Sequence, residues 1–172
     1  MRMPPAHVTI PATHSAVIDT YSLNSSRGEL TPGLARTLTG AGEMIKKARP
    51  EAKVVVVEPE GAALLSGQEW KPHKIQGWTP DFIPQVLDRD VYDEVLTVTD
   101  IEARDTTRDL ATQEGIFCGI SSGGTFAGAL KVAKKAPKGS AILAMLPDTG
   151  ERYFTTILFE GINEGSDEEP AG

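Results

Sequence analysis

The chain has 172 residues, a formal net charge of −7 and a single cysteine. That length suits one domain, the acidic balance lacks the basic face of nucleic-acid binders, and one cysteine excludes an internal disulfide. No run approaches the ~20 apolar residues of a membrane span, and prolines and histidines interrupt "MRMPPAHVTIPATHSAVIDTYS" where a signal peptide needs an apolar stretch, so the expected location is cytoplasmic.

Met1 to Pro32 is rich in Thr, Ser, Pro and His and shows neither a 3.6 nor a 2 period, which predicts an irregular segment. Regular signals begin at Thr37. "TLTGAGEMIKKAR" predicts a helix, with Leu38, Ile45 and Ala48 on one face, basic residues in the last turn and Pro50 as the stop. "KVVVVEP" is a β-branched run of the kind buried on both sides in a parallel sheet. "EGAALLSG" predicts a short helix ending at Gly67, and "QEWKPHKIQGWTP" a loop. "DFIPQVLD" predicts a helical turn capped by Asp81 and interrupted by Pro84.

"YDEVLTVTD" predicts a second strand, and Asp100 is the expected N-cap of a helix that closes at Gly115. A further helix is expected from Ser122 to Lys135, followed by the strand "SAILAMLP" and a last helix in "DTGERYFTTILFEG". Lys131, Lys134, Lys135 and Lys138 read as a solvated face with a favourable helix C-terminal charge. The acidic tail is expected to fray. Alternating strands and helices imply an α/β fold, an open parallel sheet with helices on both faces and ligands at the carboxyl ends of its strands.

Two turns there carry chemistry. "GISSG" satisfies the Gly-x-Ser-x-Gly pattern of a hydrolase elbow around Ser121, but no histidine follows it to complete a triad. Cys118 has no second cysteine, and its neighbours Phe117 and Ile120 suggest a buried small hydrophobe. The histidines are too scattered for metal spacing. Helix starts near Thr37 and at Ser121–Gly124 would expose backbone N–H groups to a phosphate. On the pattern alone, close packing of Gly119, Gly123, Gly124 and Gly128 against a sheet explains that second start at least as well.

The segments "TLTGAGEMIKKARPEAKVVVVEPEGAALLSG", "PHKIQG", "EGIFCGISSGG" and "LPDTGERYFTTILFEG" occur in the order and spacing of the C-terminal half of a cysteine synthase (O-acetylserine sulfhydrylase). The chain resembles that pyridoxal-phosphate family, of the tryptophan-synthase-β fold type, over about residues 37–161. The resemblance implies a homodimeric enzyme that holds the cofactor as a Schiff base, eliminates acetate from O-acetylserine and adds sulfide to give cysteine. Gly33-Leu34-Ala35-Arg36-Thr37 matches the family's Gly-Thr-Gly-Gly-Thr phosphate loop only at Gly33 and Thr37. Thr149 of "PDTG" resembles the hydroxyl at the pyridine nitrogen, with Asp148 the second choice. Gly119 and Ser121 match a wall of the cofactor site, and Gly77 its rim.

The family's Ser-x-Lys-x-Arg segment with the Schiff-base lysine is absent, as is its Thr-Ser-Gly-Asn substrate loop, so no catalytic residue is assigned. The similarity breaks off between Arg36 and Thr37. The expectation is a truncated or frameshifted gene product with residues 1–36 non-homologous, 37–161 cysteine-synthase-like and 162–172 a disordered acidic tail. Such a chain is expected to be inactive alone and poorly soluble or partly molten. The alternative is a non-catalytic module that binds the C-terminal tail of serine acetyltransferase or an intact cysteine synthase subunit.

Overall fold

The structure is a computed structural model that describes residues 14–19 and 33–162, with side chains described from Thr37 onward. Four strands form one parallel sheet: β1 (His14–Asp19), β2 (Lys53–Pro59), β3 (Glu94–Val98) and β4 (Ala141–Ala144), in the order β3-β2-β1-β4. Among the described residues the helices α1 (Gly33–Ala48), α2 (Asp100–Glu114) and α3 (Ile120–Ala133) accompany them.

β2 is sealed on both faces of the sheet, as the valine run predicts. Val55 and Val57 join Val98, Ile120, Ala127 and Trp78 in a core beneath α3. Val54 and Val56 join Leu38 of α1, Leu65, Leu87 and Val91 in a second core on the other face. Within α1, Leu38 is fully buried and Ile45 packs against this core, whereas Ala48 is exposed. Gly128 lets α3 settle on β2, because a Cβ there would collide with the Val57 side chain. Gly123 and Gly124 do the same toward Thr107 of α2 and the Trp78 ring.

Several expectations are corrected. The N-terminal segment read as irregular contains an interior strand of the sheet, with Val17 opposite both Val55 and Ala144. Two neighbouring strands with open ladders supply its pairing, which no short apolar run of its own announces. "EGAALLSG" forms only a 3-10 turn at Glu60–Ala62. The buried Glu58 carboxylate takes the N–H groups of Leu65 (3.0 Å) and Ser66 (2.9 Å) and the Ser66 hydroxyl (2.6 Å), bending the chain out of helix. Burial pushes the Glu58 carboxyl up, and those hydrogen bonds oppose the shift.

"DFIPQVLD" makes turns without a helix. The N-cap of α2 is Thr99, not Asp100: its hydroxyl accepts from Glu102 N–H while the Glu102 carboxylate accepts from Thr99 N–H. Gly115 closes α2 as expected, at φ 69°. α1 starts at Gly33, and α3 spans Ile120–Ala133 rather than Ser122–Lys135. The last helix shrinks to a 3-10 turn at Gly150–Tyr153. Lys131 is drawn into a 2.8 Å ion pair with Glu102, while Lys134, Lys135 and Lys138 stay exposed. Residues 163–172 of the acidic tail lie outside the described residues, and no described helix is long and apolar enough to cross a membrane.

Glycine substitutions separate packing from helix propensity. Gly128→Ala is expected to lower unfolding free energy by about 1–3 kcal/mol through overpacking against Val57. Gly40→Ala, with nothing within 4 Å of the added methyl, is expected to raise it by about 0.5–1 kcal/mol. Urea denaturation of the two variants checks both signs.

Candidate functional site

The turn after β4 meets the start of α3 just beyond the carboxyl end of the sheet. Gly119 is the N-cap of α3 and offers no side-chain cap. Its N–H donates to Asp148 O at 3.1 Å, and Gly150 N–H donates to Phe117 O at 3.4 Å. Cys118 and Thr149 thus face each other in an antiparallel bridge. Glycine is required on both sides of this zipper. A Cβ on Gly119 would run into the Asp148 carboxylate and the Tyr153 ring, and one on Gly150 would meet the Phe117 ring at 2.9 Å.

Inside the zipper lies a buried polar cluster. Tyr153 donates its phenol proton to Asp148 Oδ2 at 2.5 Å, while Asp148 Oδ1 has no hydrogen-bond partner among the described residues. Burial raises the Asp148 carboxyl above the usual carboxylate range, against the opposing pull of the Tyr153 hydrogen bond and the Arg152 charge. Burial, aided by the Asp148 charge, also pushes the Cys118 thiol up, which suits a packing residue rather than a nucleophile. Ser122 sits close enough to Asp148 and Cys118 to favour their charged forms, without reaching hydrogen-bond geometry with either.

The hydroxyls of Ser121, Ser122 and Thr125 are buried with no hydrogen-bond partner among the described residues. An unsatisfied buried hydroxyl costs about 1–3 kcal/mol, so three on one helix start mark a surface suited to a polar ligand. Cys118 is buried, as its neighbours suggest, while Phe117 beside it is exposed and its ring packs against Phe154 and Phe159.

The expected site residues divide into two sets. Gly119, Ser121, Asp148 and Thr149 come together here; the Thr149 hydroxyl is exposed and donates to Glu151 Oε2 at 2.7 Å. Gly33 and Thr37 fall in the first turns of α1, across the sheet. Gly77, at φ 71°, precedes Trp78, whose ring wedges against Gly124 of α3. Tyr153 and Thr125 carry no signal of their own in the sequence, and nothing in "GERY" or "GISSG" says which of their hydroxyls are buried.

Pyridoxal phosphate fits this arrangement at one end only. A helix start with free N–H groups, orphaned hydroxyls and a glycine-lined turn suits the ring and its nitrogen. No lysine joins them. Among the described residues Lys46 is held by Asp93 (2.6 Å) and Ala52 O, Lys131 by Glu102 and Thr97 O, and Lys74 lines a separate groove with Asp100, Arg104 and Glu160.

The family profile described as pyridoxal-phosphate dependent enzyme matches residues 31–148. The chain is 57% identical over 136 residues to the O-ureido-L-serine synthase of Streptomyces lavendulae, covering 79% of this chain and 42% of that protein. It is 44% identical over 130 residues to a probable cysteine synthase of Bacillus subtilis, covering 76% and 42%. A crystal structure of O-ureido-L-serine synthase superposes with a TM-score of 0.78 at 50% identity, over 90% of this chain and 45% of that one. The O-acetyl serine sulfhydrylase isoform 3 of Entamoeba histolytica gives 0.73 at 36% identity, over 90% and 42%. The chain therefore spans less than half the length of these relatives.

Asp148 holds its proton more tightly in the folded chain than in the unfolded one. Its contribution to stability is complete below about pH 4 and is lost as pH rises through its raised folded value. Across that range the unfolding free energy of the wild type is expected to fall relative to that of Asp148→Asn; parallel curves would contradict the burial argument.

Proposed function

The chain belongs to the pyridoxal-phosphate-dependent enzyme family, and from that premise we propose that it is the cofactor-contacting C-terminal portion of a β-replacement enzyme of the cysteine-synthase type. The reaction of such an enzyme exchanges the leaving group on an O-activated serine, such as O-acetylserine, for an incoming nucleophile. The observation that carries the reading is the paired turn Cys118–Ser122 against Asp148–Gly150, which leaves buried hydroxyls and a glycine-lined helix start at the carboxyl end of the sheet.

When bound, pyridoxal phosphate supplies an electron sink for charge developing at the substrate α-carbon. In this proposal Thr149 turns its hydroxyl to the pyridine nitrogen. Gly119 and Ser121 form the wall beside the ring, and Gly33 and Thr37 offer the start of α1 to the phosphate. A neutral hydroxyl at the nitrogen leaves it largely unprotonated, which suits β-elimination. No residue of the described cluster holds or moves the substrate α-proton, so the chain alone is inactive. The incoming nucleophile is sulfide in the cysteine-synthase reading. The name of the Streptomyces relative indicates instead a product with oxygen on the serine side chain.

The missing lysine favours a second, non-catalytic reading: a module that pairs with an intact subunit or with the tail of serine acetyltransferase. Two measurements test the first reading. Pyridoxal phosphate followed by borohydride reduction is expected to leave no stoichiometric adduct in the intact mass. The chain alone is expected to release no cysteine from O-acetylserine and sulfide. A single modified lysine together with sulfide-dependent turnover would show that the chain carries its own catalytic base. A pull-down on serine acetyltransferase addresses the second reading; failure to retain the chain counts against it.

A further inference from the structure

Thr149 is the N-cap of the 3-10 turn Gly150–Tyr153, but its side chain does not cap that turn. A threonine that caps a helix start accepts a backbone N–H with its hydroxyl oxygen. Here the hydroxyl donates instead, to Glu151 Oε2 at 2.7 Å. A hydroxyl has one proton and two lone pairs, so this bond commits the only proton that Thr149 has to give.

The backbone carrying that hydroxyl is held from both sides. Thr149 is bridged to Cys118, Asp148 O accepts from Gly119 N–H at 3.1 Å, and Gly150 N–H donates to Phe117 O at 3.4 Å. The Asp148 carboxylate in turn accepts the Tyr153 phenol proton. With the main chain fixed, the hydroxyl changes partner by rotation about its own side-chain bonds. The Thr149 and Glu151 side chains are both exposed, so that rotation disturbs no core.

An unprotonated pyridine nitrogen is an acceptor only, and it needs the proton that Glu151 holds. While that proton stays on Glu151, Thr149 presents lone pairs to the ring, and lone pair faces lone pair. We propose that Glu151 is a positioning residue acting through Thr149: its carboxylate competes with the ring nitrogen for the Thr149 proton, and so sets how tightly this turn takes a ring with an acceptor nitrogen. The proposal rests on the cofactor-contacting reading above. No covalent bond changes. The proton stays on the Thr149 oxygen, which exchanges one hydrogen-bond acceptor for another. A carboxylate is a strong acceptor, so its hold on the hydroxyl is a cost that the incoming ring must meet.

Equilibrium dialysis of the full 172-residue chain against two ligands tests this. One is pyridoxal phosphate; the other is its deaza analogue, in which a C–H group replaces the ring nitrogen. Both carry the same phosphate and aldehyde, so a change of local charge or turn structure moves both affinities together. The quantity read is their ratio. Glu151→Ala is expected to raise the preference for pyridoxal phosphate over the deaza analogue by about two- to tenfold, the span of one hydrogen bond. In a Thr149→Val background the same substitution is expected to leave the ratio unchanged, because no hydroxyl remains to be released.

An unchanged ratio in Glu151→Ala would overturn the proposal. So would a lowered ratio, the mark of a protonated nitrogen donating to an oxygen that Glu151 orients. A ratio that still rises in the Thr149→Val background would place the effect in Glu151 alone and overturn it as well. If neither ligand binds wild type or Glu151→Ala, the cofactor-contacting reading fails and the proposal fails with it. Binding that ignores Glu151 defeats the proposal alone.

Discussion

Among the described residues β4 is joined to the other strands only through β1, and β4 is the strand that delivers the Asp148–Thr149 turn to the start of α3. The ladder of His14–Asp19 between Lys53–Val57 on one side and Ala141–Ala144 on the other therefore sets the distance between the two halves of the candidate site. Remove it, and β2 loses one neighbour while β4 keeps only its packing beneath α3. Parallel pairing needs long crossovers and gains its rewards late, so this ladder is a constraint between segments far apart in the chain.

Around that ladder, β2 supplies the hydrophobic anchor. Four consecutive valines, alternating between two cores, are all sealed from water, and burying each contributes on the order of 1.5–3 kcal/mol before entropy is counted. The same burial creates the one costly group on that strand, Glu58, whose carboxylate is tied down by Leu65 and Ser66. On α3 the requirement for close approach selects glycine at positions 123, 124 and 128. At Gly119 it also leaves the start of α3 without a capping side chain. Packing and ligand access thus come from one choice of residue. The pattern-level contest between a packing glycine and a phosphate glycine does not have a single winner along α3.

What the sequence makes legible follows from where each signal is local. The valine run of β2, the Gly115 stop of α2 and the glycine-rich α3 carry their own instructions; the first two fall where expected, and α3 forms two residues earlier at each end. β1 is illegible because two β-branched residues amid Thr, Ser and His have no meaning until neighbours with open ladders exist. The α2 cap went to Thr99 over Asp100 because Glu102 completes a reciprocal pair only with residue 99. The two shortened helices lose to tertiary hydrogen bonds, most plainly at Glu58. In the site, the resemblance located the Gly119 and Thr149 turns, whereas the Tyr153–Asp148 bond and the orphaned hydroxyls emerge only from packing.

Hydrogen exchange on the full chain tests the place of β1 most directly. The amides of Ala16, Val17 and Ile18 are predicted to exchange only through global opening, with the same protection as those of Val55, Val56 and Val57. If the β1 amides exchange at unprotected rates while β2 stays protected, the strand is not the centre of the sheet. The positions assigned to β4 and the Asp148–Thr149 turn then fall with it.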